Sequence, residues 1–337
     1  MRYYEIVISP TTSSNTQFKP ITISSQLNGK DNYGALDVFL DIFQMDYTNP
    51  ASNGSIKLFG IDYATLKQDY TYATISVSIG MTKGLPLVNT TIPPLQIVKG
   101  MITQSYSNWQ GKNVTLDLVF VPYFFYATNP PTFNFYWKKG DTLQKAVIDT
   151  LNTAFKPTGY QPVITGGFSP ALVYTQDVPS LPYSSLFAFS KQINKLSKQI
   201  NTDPNYPGAS IVSTAHGFLL TDGTIADNSS NVTNIKYTDI IGNLTWVNYG
   251  ELQFKTTMRG DLSIGNYVNL PKGVPIINTL NSYAQIRNNI AYSGNWLINK
   301  IHHVGSFRKP DADSWVTVIN VIAPVQLQAG FPRATFQ

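Results

Sequence analysis

The 337-residue sequence contains no cysteine. Disulfide frameworks, thiolate metal sites and cysteine nucleophiles are excluded together. Charge is scarce as well, at 13% of residues against a usual share of about 25%. Among 19 acidic residues only Glu5 and Glu251 are glutamate. Asp favours turns and caps while Glu suits helix interiors, so this bias points to β structure. Three histidines complete a thin stock of acid–base groups. Long apolar runs are also missing. The longest, LDLVFVPYFFYA, carries Asp117 and Pro122 and cannot cross a bilayer as a helix. The start, MRYYEIVISP, lacks the apolar stretch of a signal peptide. No membrane partner is expected, and the expected compartment is the cytosol or a particle assembled there.

What is present is aromatic. Tyr, Phe and Trp reach 13%, which with low charge argues for a folded chain rather than a disordered one. The length suits roughly two domains of about 150 residues. Net charge is +5, and the excess is local: residues 131–200 hold seven basic and three acidic groups, whereas 1–130 balance at eight each. A nucleic-acid reader would show a denser basic stripe.

Short β-branched or alternating runs, such as YYEIVI, ALDVFLDIFQMDY, GSIKLFGI and ATISVSIGM, alternate with turn clusters over residues 1–130. Strands at this spacing predict an antiparallel sandwich or barrel. From 131 to 234 the pattern changes to an α/β insert. One helix is expected over KKGDTLQKAVIDTLNTAF, capped at Asp141 or Thr142 and stopped by Pro157 and Gly159. A second is expected at 185–200, where Leu186, Phe189, Ile193, Leu196 and Ile200 step by three and four. IVSTAHGFLLTDG reads as a hairpin. Strands return over 235–325, and 326–337 reads as a tail ordered only by a neighbour. The fold class is mainly β with a small α insert: two antiparallel β-barrel-like domains joined by a helical segment.

The chemistry-bearing groups are better read as structural. His302 and His303 are adjacent on a strand and point to opposite faces, so they cannot share one metal. His216 lies in another strand. Glu251 and Asp261 form the nearest pair of carboxylates, but alternation with Leu252 and Phe254 predicts a solvated Glu251, and RGDLSIG predicts a turn. Asp311 and Asp313 in KPDADSW fit a hairpin turn better than a calcium loop. No phosphate loop, dinucleotide fingerprint, nucleophile elbow or zinc-protease motif occurs, so neither cofactor, metal nor catalytic residue is expected. Lys191, Lys195 and Lys198 form the one basic row that could meet a partner or passing DNA. The aromatics Trp109, Tyr123, Phe124, Phe125, Phe133, Tyr136 and Trp137 suit a core or a subunit interface, with a sugar site as the alternative.

The order of these features resembles the baseplate hub (tail hub) proteins of contractile-tailed phages, relatives of the late control D and type VI spike hub proteins. In the first domain GSIKLFGIDYATL, TISVSIGM, LQIVKGMITQSYSNWQG and KNVTLDLVF follow the family's strand order, with Gly60-Ile61 where the family has an asparagine-leucine turn. DTLQKAVIDTLNTAF, the second helix and IVSTAHGFLLTDG are similar to its inserted helical unit. LQFKTTMRGDLSIGNYVNLP and NWLINKIHHVGSFRKPDADSWVTVINVIAP resemble its final domain. The resemblance implies a non-enzymatic homotrimer forming a pseudo-sixfold ring in the virion, assembled in the host cytoplasm. Such a ring joins the hexameric tail tube protein to the trimeric central spike protein, and its lumen passes genomic DNA and the tape-measure protein. The alternative expectation is a carbohydrate-binding or adhesin-like β protein.

Overall fold

The computed structural model describes residues 2–12, 14, 17–44, 53–81, 92–111, 113–121, 131–158, 161–203, 206–214, 217–222, 232–248, 251–271 and 294–322. The first region runs β1 (Arg2–Ser9), β2 (Ile21–Ser24), the short β3 (Gln26–Leu27) and β4 (Lys30–Asp31), β5 (Asp37–Gln44), β6 (Asn53–Phe59), α1 (Tyr63–Leu66), β7 (Thr74–Met81), β8 (Ile92–Gln110) and β9 (Asn113–Val121). Alternation builds these strands. In β1 against β7 the register sets Tyr4 opposite Ile79, Ile6 opposite Val77 and Ile8 opposite Ile75, all buried on one face. Gly54 of β6 leaves room for the Phe120 ring of β9; an added Cβ would strike it.

The middle region contains β10 (Phe133–Trp137), α2 (Leu143–Phe155), β11 (Val163–Gly166), β12 (Val178–Tyr183), α3 (Leu186–Ile200), β13 (Ser210–Thr214) and β14 (Gly217–Thr221). Both predicted helices form. Thr142, one of the two expected caps, accepts a hydrogen bond from the Lys145 amide, and Ser185 accepts one from Ala188. The apolar stripe of α3 is buried at Leu186, Phe189, Ile193 and Leu196. It packs with α2 on an aromatic core in which Phe133 stacks on Phe189 at 5.5 Å and meets Phe155 edge-on at 5.8 Å. β13 and β14 form the expected antiparallel pair, and β11 joins β14 in parallel.

The last region holds β15 (Val232–Asn234), β16 (Thr245–Asn248), β17 (Glu251–Thr257), β18 (Tyr267–Leu270), β19 (Gly294–Ser306) and β20 (Trp315–Ile322). The fold class is as expected, mostly β and mostly antiparallel. The two β regions are also joined directly. One hydrogen-bonded path runs β16-β17-β20-β19-β5-β6-β9-β8-β7-β1-β2. β19 bridges them: Gly294 to Leu297 pair with β18, while Ile301 to Ser306 pair with β5. Met258 and Trp315 lie in the apolar core of the first region. Arg2 of β1 adds a clamp, donating to the carbonyls of Ser306 (2.8 Å), Phe307 (2.9 Å), Lys309 and Asp311 (3.2 Å) and to Ser314 Oγ (2.7 Å) around the β19–β20 turn. Among the described residues no helix is long and apolar enough to cross a membrane.

Candidate functional site

On α3, Lys191, Lys195 and Lys198 are separated by four and three residues, so they form one row about 10 Å long on the face opposite the buried stripe. All three are exposed, and Phe187, 42% exposed, continues the row toward the helix start. Among the described residues none of the three lysines makes an ion pair. The sequence predicted the basic row; the exposed Phe187 at its end was not predicted.

The carboxylates and histidines have partners that fix them as structure. Glu251 corrects an expectation: it is buried, not solvated. It accepts a hydrogen bond from Asn320 Nδ2 at 2.8 Å and pairs with Lys300 at 3.6 Å. Alternation misled here because both faces of β17 are covered at its start, one by the Leu252 side and one by Asn320 and Lys300. Asp261 sits in the expected turn, where both its oxygens accept from Arg259, Nε at 2.9 Å and Nη2 at 2.6 Å. Arg259 also faces Asp239 at 3.8 Å. Burial pulls its pKa down, but the hydrogen bond and charge of Asp261, with the charge of Asp239, outweigh it and leave the guanidinium pKa raised.

His302 and His303 do point to opposite faces. His302 Nε2 lies 2.6 Å from Asp41 Oδ1 across the β19–β5 seam. His303 is fully buried; its Nδ1 lies 2.9 Å from Thr317 Oγ1, while its Nε2 has no hydrogen-bond partner among the described residues. Burial, and secondarily the charge of His302, push its pKa down to about 3, so it is neutral near pH 7. His216, Tyr123, Phe124, Phe125 and the 326–337 tail lie outside the described residues. Asp311 precedes and Asp313 lies within a 3-10 turn (Ala312–Ser314) between β19 and β20, in the place expected for a hairpin turn. Among the described residues no three His, Asp or Glu side chains converge as a metal site.

The aromatics divide. Phe133 and Trp137 are buried, the Trp137 indole donating to Asp141 O at 2.8 Å. Trp109 is 63% exposed at the β8–β9 hairpin and meets Tyr63 of α1 edge-on at 5.5 Å. Lys67 lies over the Tyr63 ring at 4.2 Å, and Tyr106 is exposed on the same hairpin. The α1 turn that carries Tyr63 was not predicted; its signal was Asp62, whose side chain caps Thr65 N at 2.9 Å.

A cleft of about 490 Å³ lies where the three regions meet. Leu95 and Ile97 of β8, Val163 of β11, Leu219 of β14 and Leu262 and Ile264 of the 260–266 turn form its apolar wall. Gly265, at φ +85°, lets that turn approach so closely that an added Cβ would strike Leu219.

No protein-family model matches the sequence, and no curated protein sequence matches it. Solved structures do match. The 43 kDa tail protein of prophage MuSo2 from Shewanella oneidensis superposes with a TM-score of 0.52, over 96% of this chain and 99% of that one, at 10% identity. The fold is shared with phage tail proteins. A tail protein from Neisseria meningitidis MC58 gives a TM-score of 0.51 over 95% of this chain and 96% of that chain, also at 10% identity. Both likenesses run nearly end to end, so they include the insert as well as the two β regions.

Proposed function

We propose that this chain is a structural baseplate hub protein of a contractile phage tail. In this reading three copies form a ring that joins the hexameric tail tube to the trimeric central spike. The observation that carries it is the near-complete, two-way superposition on a prophage tail protein. Residues 1–130 and 235–325 are the two ring-forming β domains, 131–234 the insert and 326–337 the tail. The continuous sheet across β19 and β5 holds those two domains at a fixed angle, as a rigid ring segment requires. Exposed Trp109, Tyr63 and Tyr106 supply the large apolar anchors that subunit interfaces use. Glu251 and Asp261, already bound to Asn320, Lys300 and Arg259, support a role without catalysis. The Lys191, Lys195 and Lys198 row faces a partner or the lumen, through which genomic DNA and the tape-measure protein pass. The protein works in the virion, after assembly in the host cytoplasm.

Light scattering after size exclusion tests the ring. A particle of about 112 kDa, three times 37.4 kDa, is expected for the chain alone, or a heavier complex holding three copies of it once the spike protein is added. A monomer at all concentrations that binds neither spike nor tube protein refutes it. The exposed Trp109–Tyr63 pair also favours a second reading, carbohydrate binding, because exposed rings stack on sugars. Glycan-array binding that Trp109→Ala abolishes, with trimer formation intact, would establish that second reading.

A further inference from the structure

The insert has a core of its own. Among the described residues that core runs from Phe133 to Leu220 and takes in nothing from outside the insert. Each helix and strand of the insert packs chiefly on others of the insert. The two β regions are built differently. The β19–β5 seam, the Arg2 clamp and the packing of Met258 and Trp315 into the first region fuse them into one body. A unit with its own core, resting on its neighbour through a small contact, is free to move as a unit.

The contact between insert and body lies to one side. The insert sheet runs β11-β14-β13. One face is buried on the insert core through Ile211, Phe218 and Leu220. On the other face, Val212 of β13 and Leu219 of β14 pack into the core of the last region. Leu219 rests there on Gly265, where an added Cβ would strike its side chain. With no side chain at 265 to interlock with it, Leu219 can roll on this backbone. The outer strand, β11, has no such support. Thr165 pairs with Leu219, so Val163 and Thr165 project from the same face, but they overhang the cleft of about 490 Å³. Leu95 and Ile97 of β8 line that cleft from the body. Val163 and Leu95 are 55% and 39% exposed. One apolar side chain of the insert and one of the body are thus left in water with a cleft between them.

We propose that the insert is a lid that rocks on the Leu219–Gly265 contact, between the open state seen in the structure and a closed state in which Val163 packs on Leu95 and the cleft is emptied of water. Burial of the two side chains favours closing, while the freedom of the open insert opposes it, so both states are populated. α2 and α3 ride on the insert. Closing therefore re-aims the Lys191, Lys195 and Lys198 row relative to the β body, whatever that row meets. The movement holds whether or not the chain forms a ring.

The absence of native cysteine lets spin labels be placed cleanly in the full chain. Pulsed electron paramagnetic resonance on frozen solutions measures the distances, with excess unlabelled chain added to remove those between copies. Two pairs serve as references. Tyr33→Cys/Tyr237→Cys spans the two β regions, and Tyr136→Cys/Lys191→Cys lies within the insert; all four positions are exposed. Each reference should give one narrow distance. Tyr136→Cys paired with Tyr33→Cys or with Tyr237→Cys joins insert to body, and at least one of these pairs should give two distances, or a distribution about twice as wide as the references. Leu95→Asp/Val163→Asp sets like charges face to face in the closed state, so it should cut the closed share about ten-fold and leave both references unchanged. Single narrow distances for both insert–body pairs would overturn the proposal. Broadening within the insert would overturn it too, because the insert would then be loose rather than hinged. Two populations that the double Asp variant leaves unaltered would refute the closure of Val163 on Leu95.

Discussion

His303 offers the sharpest test of the packing at the seam. Its ring is fully buried on β19, held at Nδ1 by Thr317 and left without a hydrogen-bond partner at Nε2 among the described residues. Its pKa is pushed from the ordinary 6.5 down to about 3, chiefly by burial. The unfolded chain takes up this proton as pH falls through 6.5, whereas the folded chain refuses it until about pH 3. The stability it contributes is therefore complete above pH 6.5 and drains away between pH 6.5 and 3. Each unit costs about 1.4 kcal/mol, so His303 alone should remove about 2.7 kcal/mol by pH 4.5.

Urea unfolding followed by tryptophan fluorescence measures this, because Trp296 and Trp315 are buried near the seam. The comparison is between the parent protein and His303→Asn at pH 7 and pH 4.5. Asn keeps a polar atom toward Thr317 but carries no proton to gain. The loss of stability on acidification should be smaller by about 2.7 kcal/mol in the variant, whatever its absolute stability at pH 7. The rest of the chain is the same in both proteins and cancels in the difference. Equal losses in the two proteins, within about 0.5 kcal/mol, would show that His303 is accessible to protons, and the burial argument would fail.

Three further outcomes follow from the packing and the surface. Gly54→Ala should destabilise by about 1–3 kcal/mol in urea, because the added methyl must displace the Phe120 ring; an unchanged midpoint would mean that β6 and β9 are not so closely paired. Arg2→Met keeps the aliphatic stem and removes the five-acceptor clamp on the β19–β20 turn, so a loss of about 2 kcal/mol is expected, with faster hydrogen exchange at 306–314; no change at that turn refutes the clamp. Replacing Lys191, Lys195 and Lys198 together by Gln should shift stability by less than about 0.5 kcal/mol. It should also flatten the log–log salt dependence of DNA binding by about 2.7, or 0.9 for each phosphate that a lysine no longer neutralises. An unchanged salt slope would remove the row from any DNA-facing role.

Much of the fold was legible because its signals are local. The stripe from Leu186 to Leu196 gives α3 its length, Thr142 and Ser185 mark both helix starts, and the alternation in TISVSIGM gives β7 its buried face. Glu251 was misread because alternation assumes one wet face, and nothing near position 251 in sequence announces Asn320 or Lys300. The seam was invisible for the same reason: its partners, Asp41 and His302, lie 261 residues apart. The basic row was readable as an exposed helix face, but the cleft was not, since β8, β11, β14 and the 260–266 turn meet only after folding.

The β19 bridge depends on one residue. Against β20, Ile298 pairs with Val321 and Lys300 with Asn320, so Asn299 is an extra residue, a β-bulge. It lies between the part of β19 that pairs with β18 and the part that pairs with β5. Its side chain is buried and its Oδ1 has no hydrogen-bond partner among the described residues, so it contributes little through its own contacts. A bulge bends its strand and raises the local twist, which sets the angle between the two sheet regions. Deleting Asn299 would leave Ile298 and Lys300 on opposite faces, as they are now, so neither core would lose its residues. The deletion variant should therefore stay folded, within about 2 kcal/mol of the parent. It should nonetheless fail to assemble into the ring proposed above, because the two β regions would meet at a different angle. Inserting one alanine between His302 and His303 is the contrasting change: it turns His303 outward and should unfold the seam. If the Asn299 deletion assembles as well as the parent, the bulge does not set the angle, and the rigidity of the bridge must come from the Arg2 clamp and the shared Trp315 core.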